Sequence, residues 1–351
     1  MNPRPLVSVS MITYNHGDFL RDAIHGVLMQ EADFPIELVL SNDHSPDDTH
    51  ALIQDIVSEH PRGSWIQYIH HPQTLGMMRN GLDNLQRCRG DYIAFCEGDD
   101  AWTDPLKLQI QVTEMQKHPD CDLCFHPARV FFGRTKTDSL YAFHSHKPKV
   151  FSASEVLMGG CDFCPTASLL LKKSIIDQLP DFYAEAPVGD YFLKALGSLQ
   201  GGALYLNRVM SIYRRNTSFS WTAEMQALQN RATFFSRFVD SLQKLDKHLQ
   251  HILQKEIHFE IERQYRNLAI TYLEHGLHGQ YKTLFDLYKN NHISRTRIWF
   301  FYYLGKITKS PKLTHFLERV FFCHPNPFKR AYRKAIQKLH LKRYQKAFSI
   351  F

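Results

Sequence analysis

The segment Tyr92–Trp102, YIAFCEGDDAW, ends an apolar run in three carboxylates, Glu97, Asp99 and Asp100. An adjacent Asp pair at the end of a buried strand has three uses. It can bind a divalent cation, hold a ribose hydroxyl, or cap the next helix. Mg²⁺ and Mn²⁺ take oxygen ligands, and Mg²⁺ is typically held by one or two carboxylates together with substrate phosphates. Thr103 and Asp104 are better placed to cap a helix that has Pro105 at its first position. Capping therefore leaves Asp99 and Asp100 unexplained. A further carboxylate, Asp43 in LVLSNDHSPDDT, falls just past another apolar strand. There it can accept the N–H of a uracil-like base or close an Asx turn into the next helix. GMMRNGL offers Arg79 and Asn80 near the same edge, where Arg79 either balances diphosphate charge or stands in solvent.

These residues need a scaffold that brings strand ends together, and the first two hundred residues supply its pattern. LVSVSMITYN, IELVLSND, WIQYIHH and YIAFC are short apolar strands, each followed by a helical pattern: Asp18–Gln30, a helix to His60, GMMRNGLDNLQRC, and a helix from Thr103-Asp104-Pro105. Strands of this length alternating with helices predict an open, mostly parallel α/β sheet. Ligands bind such sheets beyond the carboxyl ends of the strands, which here read TYNH, SNDHS and EGDD. Past Cys121 the pattern loosens. CDLCFHPARVFF and TASLLLKKS read as strands, GDYFLKALGSL as a helix, and GALYLNRVMSIYRR as one long final strand. From Thr222 the chain reads as helical, so a boundary is expected near 218–222, dividing a catalytic domain (1–220) from a helical region (221–351).

The order of VSVSMITYN, IELVLSNDHS, GMMRNGL, YIAFCEGDDAW, TASLLLKKS, APVGDYFLKAL and SIYRRN resembles the family 2 glycosyltransferases, over roughly residues 5–220. The chain departs from the family at Asn42-Asp43-His44, which stands for the usual Asp-Asp-Gly. The resemblance implies a GT-A fold, a mixed, mostly parallel sheet flanked by helices, and inverting transfer from a nucleoside-diphosphate sugar, with UDP favoured. Carried over to this sequence, it implies that Thr13, Tyr14 and Asn15 line the nucleotide pocket and that Asp43 holds the base. Arg79 and Asn80 would lie near the nucleotide, Asp99 by the ribose, and Asp100 on a divalent cation, Mn²⁺ or Mg²⁺. Asp190 in VGDYF would be the general base, and Tyr213 and Arg214 would lie near the diphosphate or acceptor.

That chemistry suits these residue types. A bound cation neutralises a departing diphosphate, and a carboxylate must take the proton of an acceptor hydroxyl during attack. Without the resemblance, Asp190 reads equally as a plain helix cap. Two other classes compete: a nucleotidyltransferase using paired carboxylates and a metal, and a non-catalytic membrane-associated scaffold. Nothing matches G-x-G-x-x-G, a Walker A loop or H-E-x-x-H. Two C-x-x-C pairs, Cys121/Cys124 and Cys161/Cys164, are a zinc pattern, but 36 residues separate them where 15–20 is usual.

The chain's 351 residues carry 44% hydrophobic and 22% charged side chains, an ordinary globular composition. Its seven cysteines, an odd number, fit a reducing compartment. No stretch reads as a secretory signal or a spanning helix, so the expected location is the cytoplasm, on the inner face of the cell membrane. The charge is uneven. Residues 287–351 hold fifteen Lys/Arg against Glu318 alone, a net +14, which leaves −7 for the first 286 residues of a chain whose total is +7. With the aromatics of RTRIWFFYYLGK, this tail reads as an interfacial segment drawn to anionic lipid. Packing on the catalytic domain or a homodimer contact is the alternative. Nucleic acid needs the same charge, but the body has no motif for it. A lipid-linked or other glycan acceptor would agree with a membrane contact.

Overall fold

The structure, a computed structural model, describes residues 4–215, 225 and 227–290. It divides into two compact units, Met1–Ile261 and Glu262–Phe351. The first holds both sheets. The eight-stranded sheet is ordered β3-β2-β1-β4-β10-β6-β11-β9. Its parallel half is β1 (Val7–Thr13), β2 (Ile36–Asn42), β3 (Ile66–His70) and β4 (Tyr92–Phe95). Beyond β4 lie β10 (Leu170–Lys172), antiparallel to both neighbours, then β6 (Leu123–Phe125), β11 (Ala203–Tyr205) and β9 (Lys149–Phe151). A four-stranded sheet, β5-β12-β7-β8, comprises β5 (Ala101–Trp102), β12 (Ser211–Arg215), β7 (Ala128–Phe132) and β8 (Thr135–Tyr141). The fold is the mixed α/β arrangement that the strand–helix alternation predicts.

Central strands covered on both faces must hide their polar groups, and β1 and β2 do so through serines and asparagines. Ser8 donates to Glu37 at 2.5 Å, and Ser10 donates to Asn84 at 2.7 Å. Asn84 also donates to the carbonyls of Met11 and Val39. Its helix, α3 (Met77–Arg87), therefore docks on the sheet through buried Asn80 and Asn84 as well as Leu85. Helix α1 (Gly17–Leu28) packs conventionally, with Leu20, Ala23, Ile24 and Val27 fully buried. Each large apolar side chain so buried stabilises by roughly 1.5–3 kcal/mol. Helix α2 (Thr49–Glu59) buries Ile53 and Ile56.

Three sequence expectations need correction. The run CDLCFHPARVFF is two strands in different sheets, because the chain leaves β6 at His126-Pro127 and proline cannot continue a ladder. GALYLNRVMSIYRR likewise splits into β11 and β12, with Leu206–Met210 crossing between sheets. Helix α4 runs Lys107–Lys117 with Leu106 at its cap and no side-chain cap, so Thr103 does not cap it. Asp104 instead accepts from the Leu106 N–H at 3.0 Å and pairs with Arg208 at 2.6 Å.

Two short helices, α5 (Ala153–Gly159) and α6 (Lys173–Asp177), flank the segment that leads to α7 (Asp190–Gly197). Helix α8 (Leu228–His248) lays Phe238 edge-on against Tyr191 and Phe192 of α7. Lys244 pairs with Glu185 at 2.7 Å. Helices α9 (Gln254–Glu274) and α10 (His278–Asn290) follow. The expected division at 220/221 and the basic tail beyond 290 lie outside the described residues. Among the described residues no helix is long and apolar enough to cross a membrane.

Candidate active site

The carboxyl ends of the adjacent parallel strands β2, β1 and β4 open on one edge, and the chain there is stitched loop to loop. Asn15, in the left-handed region at φ 57°, donates its N–H to Ser45 Oγ at 3.0 Å. Gly17 N–H donates to Asp47 at 3.0 Å. After β4 the backbone keeps following β1, with Cys96 N–H on Ser10 O and Gly98 N–H on Ile12 O. Gly98 presses against Thr13 so closely that a Cβ there would lie 2.7 Å from Thr13 Oγ1 and 2.9 Å from His16 Nδ1. Both of those atoms are buried, and neither has a hydrogen-bond partner among the described residues. Tyr14 stands beside them, 39% exposed.

This path delivers the carboxylates. Asp100 is buried, and its Oδ1 accepts the Arg214 N–H at 3.0 Å because β5 and β12 pair immediately beyond it. The Arg214 guanidinium turns to the opposite side, donating to Asp99 O at 2.9 Å and to Asp22 at 2.7 Å beneath the ring of Phe19. Arg214 thus braces the Asp99-Asp100 turn from below. A cleft of about 340 Å³, lined by Asp22, His25, Trp102 and Ile212 among others, lies on that reverse side of Arg214. Trp102 is fixed by its indole N–H on Ala167 O at 2.8 Å and by the Lys107 ammonium 3.9 Å from its ring centre. Burial lowers the Lys107 pKa to about 7.

Charge is crowded at this edge. Burial first, then Asp99 and Asp190, push Glu97 up to about 8 against the pull of Lys194. Burial, Asp99 and Glu97 hold Asp100 well above the usual carboxylate range, and Arg214 only partly offsets them. Asp190 opens α7 and pairs with Lys194, one turn on, at 2.8 Å. Opposite stands the small sheet's aromatic face. Tyr141 and Tyr213 stack at 4.5 Å and 16°, and Tyr141 donates to Asp162 at 2.9 Å. Burial followed by Asp100 raises the Tyr213 phenol to about 12. Exposed Arg215 lies within 5.6 Å of both ring centres.

Glu97, Asp99, Asp100 and Asp190 therefore form one electrostatically linked group, with Arg214 behind it. Other expected site residues are engaged in the fold. Both Asp43 oxygens accept backbone N–H groups, Leu75 at 2.7 Å and Gly76 at 2.9 Å, and fix the loop before α3. Asn80 points into the sheet, accepting from Ser41 at 2.5 Å, with His71 Nε2 at 3.1 Å. Arg79 is exposed on the first turn of α3. Sequence reading missed Lys194, Tyr141, Asp162 and Arg215. The i, i+4 spacing of Asp190 and Lys194 was visible, whereas Tyr141 belongs to a strand, β8, with no alternating apolar pattern.

A divalent cation suits this set. The Asp pair offers hard oxygen donors. Among those residues no three His, Cys, Asp or Glu side chains surround a common point. A cation shared with substrate phosphates requires only one or two carboxylates. The C-x-x-C thiols find other partners: Cys121 donates to Gly201 O, and Cys124 accepts from Gln111.

Residues 8–179 match the sequence profile of glycosyl transferase family 2. The chain carries a family 2 glycosyltransferase domain. Among solved structures, the glycosyltransferase domain is similar to S. aureus TarS 1-349 in complex with UDP-GlcNAc, with a TM-score of 0.55 and 13% identity over 76% of this chain and 80% of that one. It is also similar to the mannosyltransferase PcManGT from Pyrobaculum calidifontis in complex with GDP-Man and Mn²⁺, with a TM-score of 0.51 and 12% identity over 92% and 89%. At these identities the likeness establishes the GT-A fold. By sequence, the chain is 31% identical over 215 residues to protein Rv1520 of Mycobacterium tuberculosis, 61% of this chain and 60% of that protein. It thus spans about three-fifths of that relative's length. It is 32% identical over 111 residues, 31% of this chain and 42% of the relative, to TuaG of Bacillus subtilis, a glycosyltransferase named for teichuronic acid biosynthesis.

Proposed function

We propose that this glycosyltransferase moves a sugar, with inversion, from a nucleoside-diphosphate donor to a hydroxyl of a glycan or lipid-linked acceptor in bacterial surface-polysaccharide synthesis. The observation that carries the reading is the placement of buried Asp100, half-buried Asp99 and the helix-start carboxylate Asp190 around Glu97. One carboxylate group suits the donor and the other suits proton removal. Asp100 would hold Mn²⁺ or Mg²⁺, with Asp99 on the ribose side; the cation would neutralise the leaving diphosphate. Thr13, Tyr14 and Asn15 border the same edge. Asp43 acts by fixing the Leu75–Gly76 loop beside the nucleotide, and Arg79 is the exposed cation at that loop. Asp190 takes the proton of the acceptor hydroxyl, which is too weak a nucleophile at neutral pH to attack unaided. A base on the acceptor side and a leaving group on the donor side give a single displacement.

The ligands bound to TarS and PcManGT, UDP-GlcNAc and GDP-Man, support a nucleotide sugar as donor, and UDP is our first choice. TuaG supports the polysaccharide setting. We assign the basic tail, 287–351, to an anionic membrane surface, to be tested by liposome co-sedimentation with and without it; equal binding would remove that assignment. The function is tested by incubating a panel of sugar nucleotides with Mn²⁺ or Mg²⁺ and analysing the products. Free nucleoside diphosphate is expected. Pyrophosphate release would instead favour a nucleotidyltransferase.

A further inference from the structure

We propose that Lys194 is the positioning residue for Asp190, a buried cation that fixes the direction of its carboxylate. This rests on reading Asp190 as the base. Lys194 is 1% exposed, an unusual state for a lysine, and its ammonium has two acceptors. They are Asp190 Oδ2 at 2.8 Å and the Cys161 carbonyl at 2.7 Å. The carbonyl comes from a different segment, so the pair is clamped to the wall of the site and is more than a fluctuating i, i+4 bridge. Asp190 Oδ1 meanwhile accepts the Tyr191 N–H at 2.8 Å. Its orientation is thus set through both oxygens, while its side chain stays 27% exposed for an acceptor to reach.

Asp190 acts electrostatically on Glu97 in the loop after β4, Tyr141 of β8, Tyr183 of the turn before α7, and Cys161 and Cys164 of the clamping segment. None of these groups is a cation, whereas Lys194 is, and it holds the carboxylate directly. Burial works against the charge on Lys194, but Asp190, Cys164 and Cys161 outweigh it and hold the ammonium protonated. The same segment ties the clamp to the small sheet, because Asp162, next to Cys161, accepts from Tyr141 in the tyrosine stack.

The test uses the full chain and compares wild type, K194M, K194R and D190N in nucleoside diphosphate release from the best donor. K194M is expected to lower kcat about 10- to 100-fold with donor KM little changed. K194R, which keeps the charge and its donors, is expected to recover most of that loss. Wild-type kcat in K194M, or K194R as slow as K194M, would overturn the proposal while leaving the base intact. D190N as active as wild type would overturn the reading of Asp190 itself. If K194M fails to fold, K194Q against K194R makes the same comparison.

Discussion

The Arg214 backbone N–H lies 3.0 Å from Asp100 Oδ1, while the same residue's guanidinium reaches back to Asp22 and to the carbonyl of Asp99. One residue therefore joins three parts of the domain: helix α1, the closing strand β12 and the carboxylate turn. R214K keeps the charge but loses the planar fork that serves two acceptors at once. It is expected to destabilise the protein by about 2 kcal/mol, the order of a lost hydrogen bond to a charged group. Urea unfolding of both proteins checks this; an unchanged midpoint would show that the fork carries no load.

Burial, and then charge crowding, at Glu97 and Asp100 gives a pH dependence of stability with a definite sign. Glu97 has its pKa raised from 4.5 to about 8, so between those values the folded state binds more protons than the unfolded one. Stability then falls as pH rises through about 4.5 to 8, and Asp100, raised in the same direction, adds to the fall. A divalent cation that binds the ionised carboxylates should flatten the decline. Thermal melts from pH 5 to 8 in EDTA and in Mn²⁺ test this. Parallel profiles in the two conditions would count against cation binding at this cluster.

Asp43 presents a different balance. Its carboxylate is buried and accepts from both Leu75 and Gly76 N–H groups. D43N sets an amide donor against one of those N–H groups, at a cost of about 1–3 kcal/mol. It should raise donor KM more than it lowers kcat, because the loop it fixes borders the edge proposed for the nucleotide. A fall in kcat with KM unchanged would place Asp43 elsewhere in the cycle.

Gly98 separates Glu97 from Asp99 and has no room for a methyl group beside Thr13 and His16. G98A is expected to shift the carboxylate turn, costing about 1–3 kcal/mol of stability and weakening Mn²⁺-dependent donor binding. Calorimetric titration of donor into the variant measures it; wild-type affinity would mean that the turn absorbs the methyl group without moving.

Much of this architecture was legible in the sequence where local pattern and tertiary demand agree. The strands β1, β2 and β4 are buried apolar runs punctuated by polar ends, so both their existence and their shared edge follow from residue type. GALYLNRVMSIYRR was not legible as two strands, because an apolar run carries no mark of which sheet will take it. The site divides similarly. Asp99 and Asp100 stood out by type and position, and Asp190 through the family resemblance. The internal engagement of Asn80 and Arg214 depends on which way each side chain turns. Asn80 sits on the face of α3 that meets Ser41 and His71, and Arg214 on the face of β12 that meets α1. Lys194 was hidden because a helical lysine is ordinarily solvated; its burial follows from the Cys161 segment closing over α7.

The division of labour between Asp100 and Asp190 is tested most directly by measuring donor binding and sugar transfer in D100N and D190N side by side. D100N should lose Mn²⁺-dependent binding of the nucleotide sugar. D190N should bind donor as wild type does but lose transfer by about 10²-fold or more, the contribution typical of a general base. Wild-type transfer by D190N, or unchanged Mn²⁺-dependent binding in D100N, would contradict the account.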